Sequence, residues 1–245
     1  MRISRIYCPV ALSRGRIIEL DGQAAVHLTR VLRLRAGDAL CLFNGEGGEF
    51  AARLLEAGRR TARVEVGEFV DRELESPLEL VLAQGVSRGE RMDYTVQKAV
   101  ELGVSRIVPL ETSRTTVNLG GERRDKRRTH WQGVVVAACE QSGRNRVPPV
   151  APVRTLEDWL AQVASEDGLK LVLHHRAEQS LSALPRPDGP VMLLIGPEGG
   201  LAPAEIDAAM ASGFHPLRLG PRVLRTETAA VVAMSVLQGL WGDLL

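Results

Sequence analysis

The sequence contains few aromatic residues and few cysteines. Only 4% of its 245 residues are Phe, Trp or Tyr, and its three cysteines are Cys8, Cys41 and Cys139. The cysteines are far apart and form no C-x-x-C pair, which argues against a zinc site or a disulfide framework and predicts buried, reduced thiols. No hydrophobic run approaches the length of a membrane span, and the start of the chain, MRISRIYCPV, lacks the apolar region of a signal peptide. We therefore expect a cytoplasmic protein that does not enter a membrane.

The chain also lacks an excess of charge of either sign. It has 31 basic and 30 acidic residues and a formal net charge of +1, so evidence for a polyanionic partner must come from local clusters. Hydrophobic residues make up 44% and charged residues 25%, as in ordinary globular proteins. The length allows one or two domains with a sizeable core.

Several familiar catalytic motifs are missing. There is no Walker A sequence and no H-E-x-x-H, and GEGGEF at 45–50 has Phe50 where a dinucleotide-binding motif needs its third glycine. His174 and His175 are adjacent, but no third ligand stands at metal-like spacing, so we predict no metal.

One catalytic motif remains as an alternative. GVSRG at 85–89 fits the G-x-S-x-G pattern of a serine hydrolase, with Ser87 as the nucleophile between a predicted strand and a predicted helix. The charged neighbours Arg88 and Glu90 suit such a cramped turn poorly, and three histidines leave the general base unassigned.

The chain divides into two regions of different pattern. Short candidate strands (IIEL, ALCLF, EFAARLL and TARVEV) fill the first 70 residues, with one helix predicted to begin near Asp21. The segment DRELESP then changes to charged residues and ends in Pro77. We therefore predict an N-terminal domain over residues 1–71 and a second domain over residues 72–245.

The second region alternates between short apolar strands and helical segments. The predicted strands are LELVLAQ, SRIVPL, LKLVLHH, PVMLLIG and PLRLG. This alternation indicates an α/β domain with a mainly parallel sheet. Two helices are predicted to end at Gly103 and Gly143, and the basic run at 123–128 is predicted to be a mobile loop. The last helix, TAAVVAMSVLQGLW, is apolar nearly all round and needs cover from the core, with a second subunit as a candidate for the rest.

Two Gly-Pro loops follow two of the predicted strands. IGPEGG follows VMLLIG, and GPRVLRTETA follows PLRLG, so in a parallel sheet both can reach the carboxyl edge, where ligands of open α/β folds bind. Glycines at 196, 199 and 200 would let main-chain groups touch a flat ligand. Glu198 argues against a bare phosphate and for an adenine or a sulfonium cation. A strand-to-helix turn before Pro203 is the structural alternative.

The second Gly-Pro loop carries more chemistry than a turn needs. Arg222, Arg225 and Glu227 lie within six residues, next to Thr226. Thr226 as an N-cap would explain one of these residues structurally, but it would not explain two arginines at one edge. Elsewhere, Arg144 and Arg146 follow a predicted helix and are placed to meet a nucleic acid.

These segments resemble a known family. IGPEGGL at 195–201 together with LGPRVLRTETA at 219–229 is similar to the cofactor-binding region of the knotted SPOUT methyltransferases. The resemblance is greatest to the bacterial enzymes that methylate N3 of a uridine in small-subunit (16S) ribosomal RNA. Segments at 27–38, 97–110 and 139–144 fit in the same order, so the resemblance covers nearly the whole chain.

The resemblance implies a fold, a cofactor and partners. The fold would be a PUA-like RNA-binding β-barrel followed by a SPOUT α/β methyltransferase domain with a C-terminal trefoil knot. The methyl donor would be S-adenosyl-L-methionine, the substrate 16S rRNA, and the assembly a homodimer without a metal. The implied cofactor-binding residues are Leu173, His174, Ile195, Gly196, Pro197, Glu198, Gly199, Gly200, Leu219, Gly220, Val223, Leu224, Thr226 and Thr228.

Roles for charged residues follow from the same chemistry. Uracil N3 carries a proton whose loss leaves negative charge on the flanking carbonyl oxygens. We expect Arg225 first, and Arg222 second, to stabilise that charge, and Glu198 or Glu227 to remove or relay the proton. The expected RNA contacts are Arg30, Arg33, Arg35, Arg88, Arg144 and Arg146. A noncatalytic RNA-binding or ribosome-assembly factor remains a further alternative.

Overall fold

The chain forms two compact units. A computed structural model describes residues 3–58, 60–178 and 186–245. The first unit contains Met1–Glu75 and Cys139–Val147, and the second contains Ser76–Ala138 and Pro148–Leu245. The predicted domains, 1–71 and 72–245, differ from these units mainly in the segment Cys139–Val147, because a single cut in the sequence cannot assign a later segment to the first unit.

The first unit is a mixed five-stranded sheet around its own core. Its strands are β1 (Ser4–Tyr7), β2 (Ile17–Leu20), β3 (Ala39–Phe43), β4 (Glu49–Ala57) and β5 (Ala62–Val70), in the order β1-β3-β4-β5-β2. Only the β1–β3 pair is parallel. Ala62, Val64 and Val66 of β5 are buried and alternate with exposed residues, which is the pattern of a strand with one face on a core. The four predicted strands are confirmed, and β1 was not predicted.

Two short helical pieces follow β2. They are α1 (Gly22–Val26) and a π-helical turn (His27–Val31), where a single helix was predicted.

The structure also confirms the buried thiols: all three cysteines are free and buried, and burial raises the pKa of Cys41 and of Cys139 to about 12.

Buried polar contacts attach Cys139–Val147 to the rest of the first unit. The Arg5 guanidinium donates to Oδ1 of Asn145 at 2.5 Å and to the Arg144 carbonyl at 3.2 Å. Asn145, which is fully buried, donates to the Arg72 carbonyl at 2.5 Å. A buried polar group without a partner costs free energy, so the hydrogen bonds among Arg5, Asn145 and the Arg72 and Arg144 carbonyls hold this segment in place.

The second unit contains a fully parallel six-stranded sheet. Its strands are β6 (Leu80–Gly85), β7 (Arg106–Glu111), β8 (Arg154–Thr155), β9 (Leu169–Leu173), β10 (Val191–Ile195) and β11 (His215–Leu217), in the order β11-β9-β10-β6-β7-β8. β10 is buried along its whole length, as expected for a central parallel strand covered on both faces. The predicted α/β class and parallel sheet are confirmed.

Five helices accompany this sheet: α2 (Glu90–Glu101), α3 (Arg123–Ser142), α4 (Leu156–Val163), α5 (Pro203–Ala211) and α6 (Thr226–Trp241). The prediction of a mobile loop at 123–128 is wrong, because these residues form the first turns of α3. Arg and Lys favour helices, and Arg128 donates to the Val150 carbonyl at 2.9 Å while Arg124 pairs with Glu111.

The last helix, α6, has one covered face. Ala233, Met234 and Leu237 are fully buried, whereas Val236 and Leu240 are 38% and 48% exposed. The core of this unit therefore covers only part of an apolar helix. No helix in the described ranges has the length and apolar character to cross a bilayer.

Candidate active site

A cavity of about 710 Å³ lies at the carboxyl edge of the parallel sheet. Its walls come from the segments that follow β9, β10 and β11, together with Arg91 and Arg114. The structure thus brings the two Gly-Pro loops to one place. The predicted cofactor-binding residues that line it are Leu173, His174, Ile195, Gly196, Pro197, Glu198, Gly199, Gly200, Leu219, Gly220, Val223, Leu224 and Thr226. Thr228, also predicted, is exposed and is not among the lining residues.

The glycines of the first loop allow it to pack on itself. A Cβ on Gly196 would lie 2.7 Å from the main chain of Gly200 and of Leu201. A Cβ on Gly85, at the end of β6, would lie 2.6 Å from the nitrogen of Pro197. Gly200 has φ +68°, a conformation that side chains disfavour. Gly196 and Gly85 are therefore required by contacts within the protein, and Gly200 is required by its backbone conformation.

A buried polar cluster joins the first loop to the start of α6. Thr226 Oγ1 donates to the Gly196 carbonyl at 2.7 Å, and Gln84 Nε2 donates to Thr226 Oγ1 at 3.0 Å and to the Gly196 carbonyl at 3.2 Å. Gln84 is fully buried and Thr226 is 8% exposed. The prediction that Thr226 is an N-cap is wrong: Arg225 holds that position, and the Thr226 hydroxyl instead binds the first loop.

Glu198 is held by the start of α2. Its Oε1 accepts a hydrogen bond from the Arg88 main-chain N–H at 2.8 Å and one from the Arg91 guanidinium at 3.0 Å. Burial acts to raise the pKa of Glu198, but these hydrogen bonds, one from its own N–H and the Arg91 charge outweigh burial and lower that pKa. Glu198 is therefore an ionised anchor for the loop, with an oxygen already engaged.

Arg114 and Gln84 also hold the first loop, and neither was predicted. Arg114, in the segment after β7, donates to the Gly199 carbonyl at 2.8 Å and to the Leu201 carbonyl at 3.4 Å. The neighbouring Ser113 N–H donates to Glu205 of α5 at 2.7 Å. Neither Arg114 nor Gln84 lies in a recognisable motif, so only the fold reveals their role.

The second loop presents charged groups to the cavity. Arg222, Arg225 and Glu227, which were predicted to be catalytic, line it, and both arginines are exposed. Oε2 of Glu227 is buried and has no hydrogen-bond partner among the described residues. A buried carboxylate oxygen without a partner is costly and often marks a functional group.

His174 lies at the end of β9 and also lines the cavity. Burial, followed by the neighbouring His175 and Arg176, lowers the pKa of His174, so its imidazole is neutral at pH 7. The two histidine rings meet edge to face with centroids 5.4 Å apart. Across the described ranges, no group of three or more His, Cys, Asp or Glu side chains is arranged to hold a metal ion.

The predicted RNA contacts fall in different environments. Arg30, Arg33 and Arg35 are exposed on the first unit, and Arg88 is exposed on the second. Arg146 is 57% exposed at its side chain and pairs with Glu73 at 3.1 Å.

The prediction that Arg144 contacts RNA is wrong. Its side chain is 5% exposed and forms a fork with the Glu75 carboxylate, including Nε to Oε1 at 3.0 Å. A buried, paired guanidinium fixes the segment Cys139–Val147 within the first unit and does not present itself to a phosphate. From sequence alone, Arg144 and Arg146 look alike, because only the fold distinguishes a buried arginine from an exposed one.

The serine-hydrolase alternative finds no support in the geometry. Ser87 is 1% exposed, and its hydroxyl donates to the Gly85 carbonyl at 3.4 Å. A nucleophile elbow must present its serine on the surface of a tight turn. Ser87 is instead a structural residue beneath the cavity loops.

A parallel sheet with a ligand cavity at its carboxyl edge is typical of cofactor-binding α/β enzymes. Residues 74–238 match the family model of the RNA methyltransferase domain, and residues 20–67 match that of the RNA methyltransferase PUA domain. The chain therefore belongs to the RNA methyltransferase family.

Relatives match along their full length. A protein of Buchnera aphidicola (subspecies Schizaphis graminum), named ribosomal RNA small subunit methyltransferase E, is 35% identical over 99% of this chain and 98% of its own. The enzyme of that name from Neisseria gonorrhoeae, solved bound to S-adenosyl methionine, is 39% identical with a TM-score of 0.92 over the whole of both chains. A Legionella pneumophila protein solved with the bound cofactor SAM is 41% identical with a TM-score of 0.95, again over both whole chains.

Proposed function

We propose that this protein transfers the methyl group of S-adenosylmethionine to N3 of a uridine in small-subunit (16S) ribosomal RNA. The observation that carries the proposal is the cavity lined by both Gly-Pro loops, the glycine-rich first loop and the second loop with arginine side chains that have no partner among the described residues. The names and bound cofactor of the full-length relatives support it.

The cavity suits the cofactor in size and lining. Its volume lies within the range of about 300–1,000 Å³ typical of small-molecule sites. Leu173, Ile195, Leu219 and Leu224 give apolar walls for an adenine ring, and the loop glycines bring main-chain polar groups to the surface. Gly196, Pro197, Gly199, Gly200, Gly220 and Val223 would complete the binding surface, with Thr226 and Glu198 holding it in shape. When bound, S-adenosylmethionine supplies an electrophilic methyl group on a sulfonium.

The arginines of the second loop stabilise the negative charge that develops on the base. Loss of the N3 proton places negative charge on the two carbonyl oxygens beside it. Arg225, with Arg222 as the second candidate, stabilises that charge from the N-cap position of α6. Positioning of the acceptor against the donor supplies a further part of the rate.

The proton acceptor is Glu227 rather than Glu198. Glu198 is committed to Arg88 and Arg91, whereas Glu227 lines the cavity and its buried Oε2 has no hydrogen-bond partner among the described residues. A general base needs a free lone pair within reach of the proton that it removes. Glu198 acts on the reaction through the shape of the loop.

The remaining features fit an enzyme of ribosomal RNA. N3 lies on the Watson–Crick edge, so the target uridine must be unpaired or flipped out. The first unit is proposed to be a PUA-like barrel that presents Arg30, Arg33 and Arg35 to RNA, with Arg88 and Arg146 as further contacts. The resemblance at 195–201 and 219–229 supports a trefoil knot. The exposed apolar residues of α6 support a homodimer, and a ribosomal substrate supports a cytoplasmic location.

Methyl transfer from labelled S-adenosylmethionine tests the proposal. The protein is incubated with 16S rRNA and, separately, with assembled small subunits, and the modified base is mapped by reverse transcription and mass spectrometry. We expect one methyl group on N3 of one uridine, which would stop reverse transcriptase. Methylation of a carbon or a ribose oxygen would overturn the N3 assignment, and no transfer to either substrate would overturn the function.

A further inference from the structure

The arginines that line the cavity differ in their partners. They are Arg91, Arg114, Arg176, Arg218, Arg222 and Arg225. Arg91 binds Glu198, and Arg114 binds the carbonyls of Gly199 and Leu201. The guanidinium groups of the other four form no hydrogen bond or ion pair with any described residue. Two of these four, Arg222 and Arg225, already have a role in the proposed reaction, which leaves Arg176 and Arg218 to be explained.

Arg176 and Arg218 lie at the ends of neighbouring strands. β9 and β11 are paired, with Leu173 opposite Leu217, so the residues that follow these two leucines leave the sheet at the same edge. Arg218 comes directly after Leu217, and Arg176 comes three residues after Leu173. Both side chains belong to exposed residues on this side of the cavity.

Charge at this edge is not balanced locally. Glu198 is neutralised by Arg91, which leaves Asp207 and Glu227 as the other carboxylates in the lining, against four arginines without a carboxylate partner. Exposed arginines held close together repel one another, so this arrangement favours an anion that arrives from outside.

We propose that Arg176 and Arg218 bind the phosphodiester groups next to the target nucleotide. This inference rests on the proposed function, because a uridine whose base enters the cavity keeps its own phosphates at the mouth. Arginine is suited to this task because its guanidinium can bind two phosphate oxygens at once. The two residues form the wall of the mouth on the β9–β11 side, while Arg222 and Arg225 face the base.

The carboxylate of the cofactor is the other source of anionic oxygens at this site, and binding measurements separate the two. Binding of transcribed 16S rRNA is measured at several salt concentrations for the wild type and for Arg176→Ala, Arg218→Ala and their Lys counterparts. The affinity for S-adenosylmethionine is measured by calorimetry on the same proteins. Arg106→Ala is the matched control, since Arg106 is exposed at the amino end of β7, the opposite edge of the sheet.

Each Ala variant at Arg176 or Arg218 is expected to reduce the slope of log affinity against log salt by about 1, as for the loss of one phosphate contact. The Lys variants should keep most of the slope, because the charge remains. Cofactor affinity should stay within about twofold of the wild type, the scatter expected when no contact is lost.

Slopes equal to those of the wild type and Arg106→Ala would overturn the inference, as would a loss of cofactor affinity in place of RNA affinity. These results differ from failure of the proposed function. If the wild type methylates 16S rRNA while the slopes are unchanged, only the phosphate contacts are wrong. If the wild type neither binds nor methylates the RNA, both proposals are wrong.

Discussion

The two loops of the cavity are built on opposite principles. The first, residues 196–201, is held through its main chain and its one charged side chain: Thr226 and Gln84 bind its first carbonyl, Arg91 binds Glu198, and Arg114 binds the Gly199 and Leu201 carbonyls. The second, residues 218–225, carries three exposed arginines whose side chains have no hydrogen-bond partner in the described part of the chain, and its Val223 is 80% exposed.

This difference indicates that the first loop binds the cofactor and that the second loop acts on the RNA substrate. A loop whose shape is fixed before the ligand arrives loses little conformational freedom on binding, which favours a tight cofactor site. Arginine side chains without a partner among the described residues are available to bind negative charge on an RNA substrate and in the transition state. Changes in the second loop should therefore affect turnover, and changes in the first should affect cofactor binding.

The largest expected effect is on turnover, from Arg225→Ala. Loss of one preorganised donor to a developing oxyanion costs about 10²- to 10³-fold in rate. The affinity for S-adenosylmethionine should remain close to that of the wild type, because the contacts of the first loop are intact. Single-turnover methylation and calorimetry measure the two quantities separately, and Arg225→Lys should recover part of the rate. An unchanged single-turnover rate would remove Arg225 from the mechanism.

Gly196→Ala should break the first loop instead. The added Cβ would lie 2.7 Å from main-chain atoms of Gly200 and Leu201, which cannot move aside like a flexible side chain. Overpacking of this kind costs about 1–3 kcal/mol, which corresponds to roughly fivefold to 140-fold weaker cofactor binding. Gly133→Ala is the control, since a Cβ there meets nothing within 4 Å and Ala favours the surrounding helix α3. Wild-type cofactor affinity in Gly196→Ala would show that the packing of the loop is not what forms the site.

Much of this architecture was predictable from local sequence patterns. The apolar strands and the two Gly-Pro loops are local features, and parallel pairing makes their meeting at one edge a consequence of topology. The basic run at 123–128 forms a helix and not the predicted loop, because the helix propensity of Arg and Lys outweighs the repulsion between repeated charges. The polar network of Gln84, Thr226 and Gly196 was not predicted, because its residues are far apart in sequence.

Long-range pairing also explains the errors at individual arginines. Arg144 has the same sequence context as Arg146, yet Glu75 lies beside one and Glu73 beside the other in environments of very different exposure. Conversely, Arg176 and Arg218 lie outside any recognisable motif. They lie at the same edge of the sheet only because Leu173 and Leu217 are partners in adjacent strands. Sequence patterns show which residues carry charge, while the fold decides which charges are already satisfied.

A smaller effect is expected from the hydroxyl that joins the two loops. Thr226→Val keeps the shape of the side chain but leaves the Gly196 carbonyl with one donor fewer and Gln84 Nε2 with one acceptor fewer. Loss of a buried partner costs about 1–3 kcal/mol, so the melting temperature should fall and cofactor binding should weaken by roughly tenfold. Thr226→Ser restores the hydroxyl and should restore both measurements. If Ser and Val behave alike, the hydroxyl does not hold the loop.

The smallest effect tests the ion pair that anchors the first loop. The side chains of Glu198 and Arg91 are 25% and 47% exposed, so the pair is partly screened and Glu198→Gln should destabilise the protein by only about 1 kcal/mol at pH 7. The pKa of Glu198 lies below its ordinary value of 4.5 in the folded protein, because its hydrogen bonds and the Arg91 charge outweigh burial. The stabilisation is therefore complete above pH 4.5 and is lost as the pH falls through the lower, folded pKa. Denaturant unfolding of the wild type and Glu198→Gln across that range should show the two stabilities converge in acid, whereas a matched Glu178→Gln variant, changed at an exposed carboxylate, should show no such convergence. A difference that stays constant down to the most acid pH would mean that the shape of the glutamate, and not its charge, holds the loop.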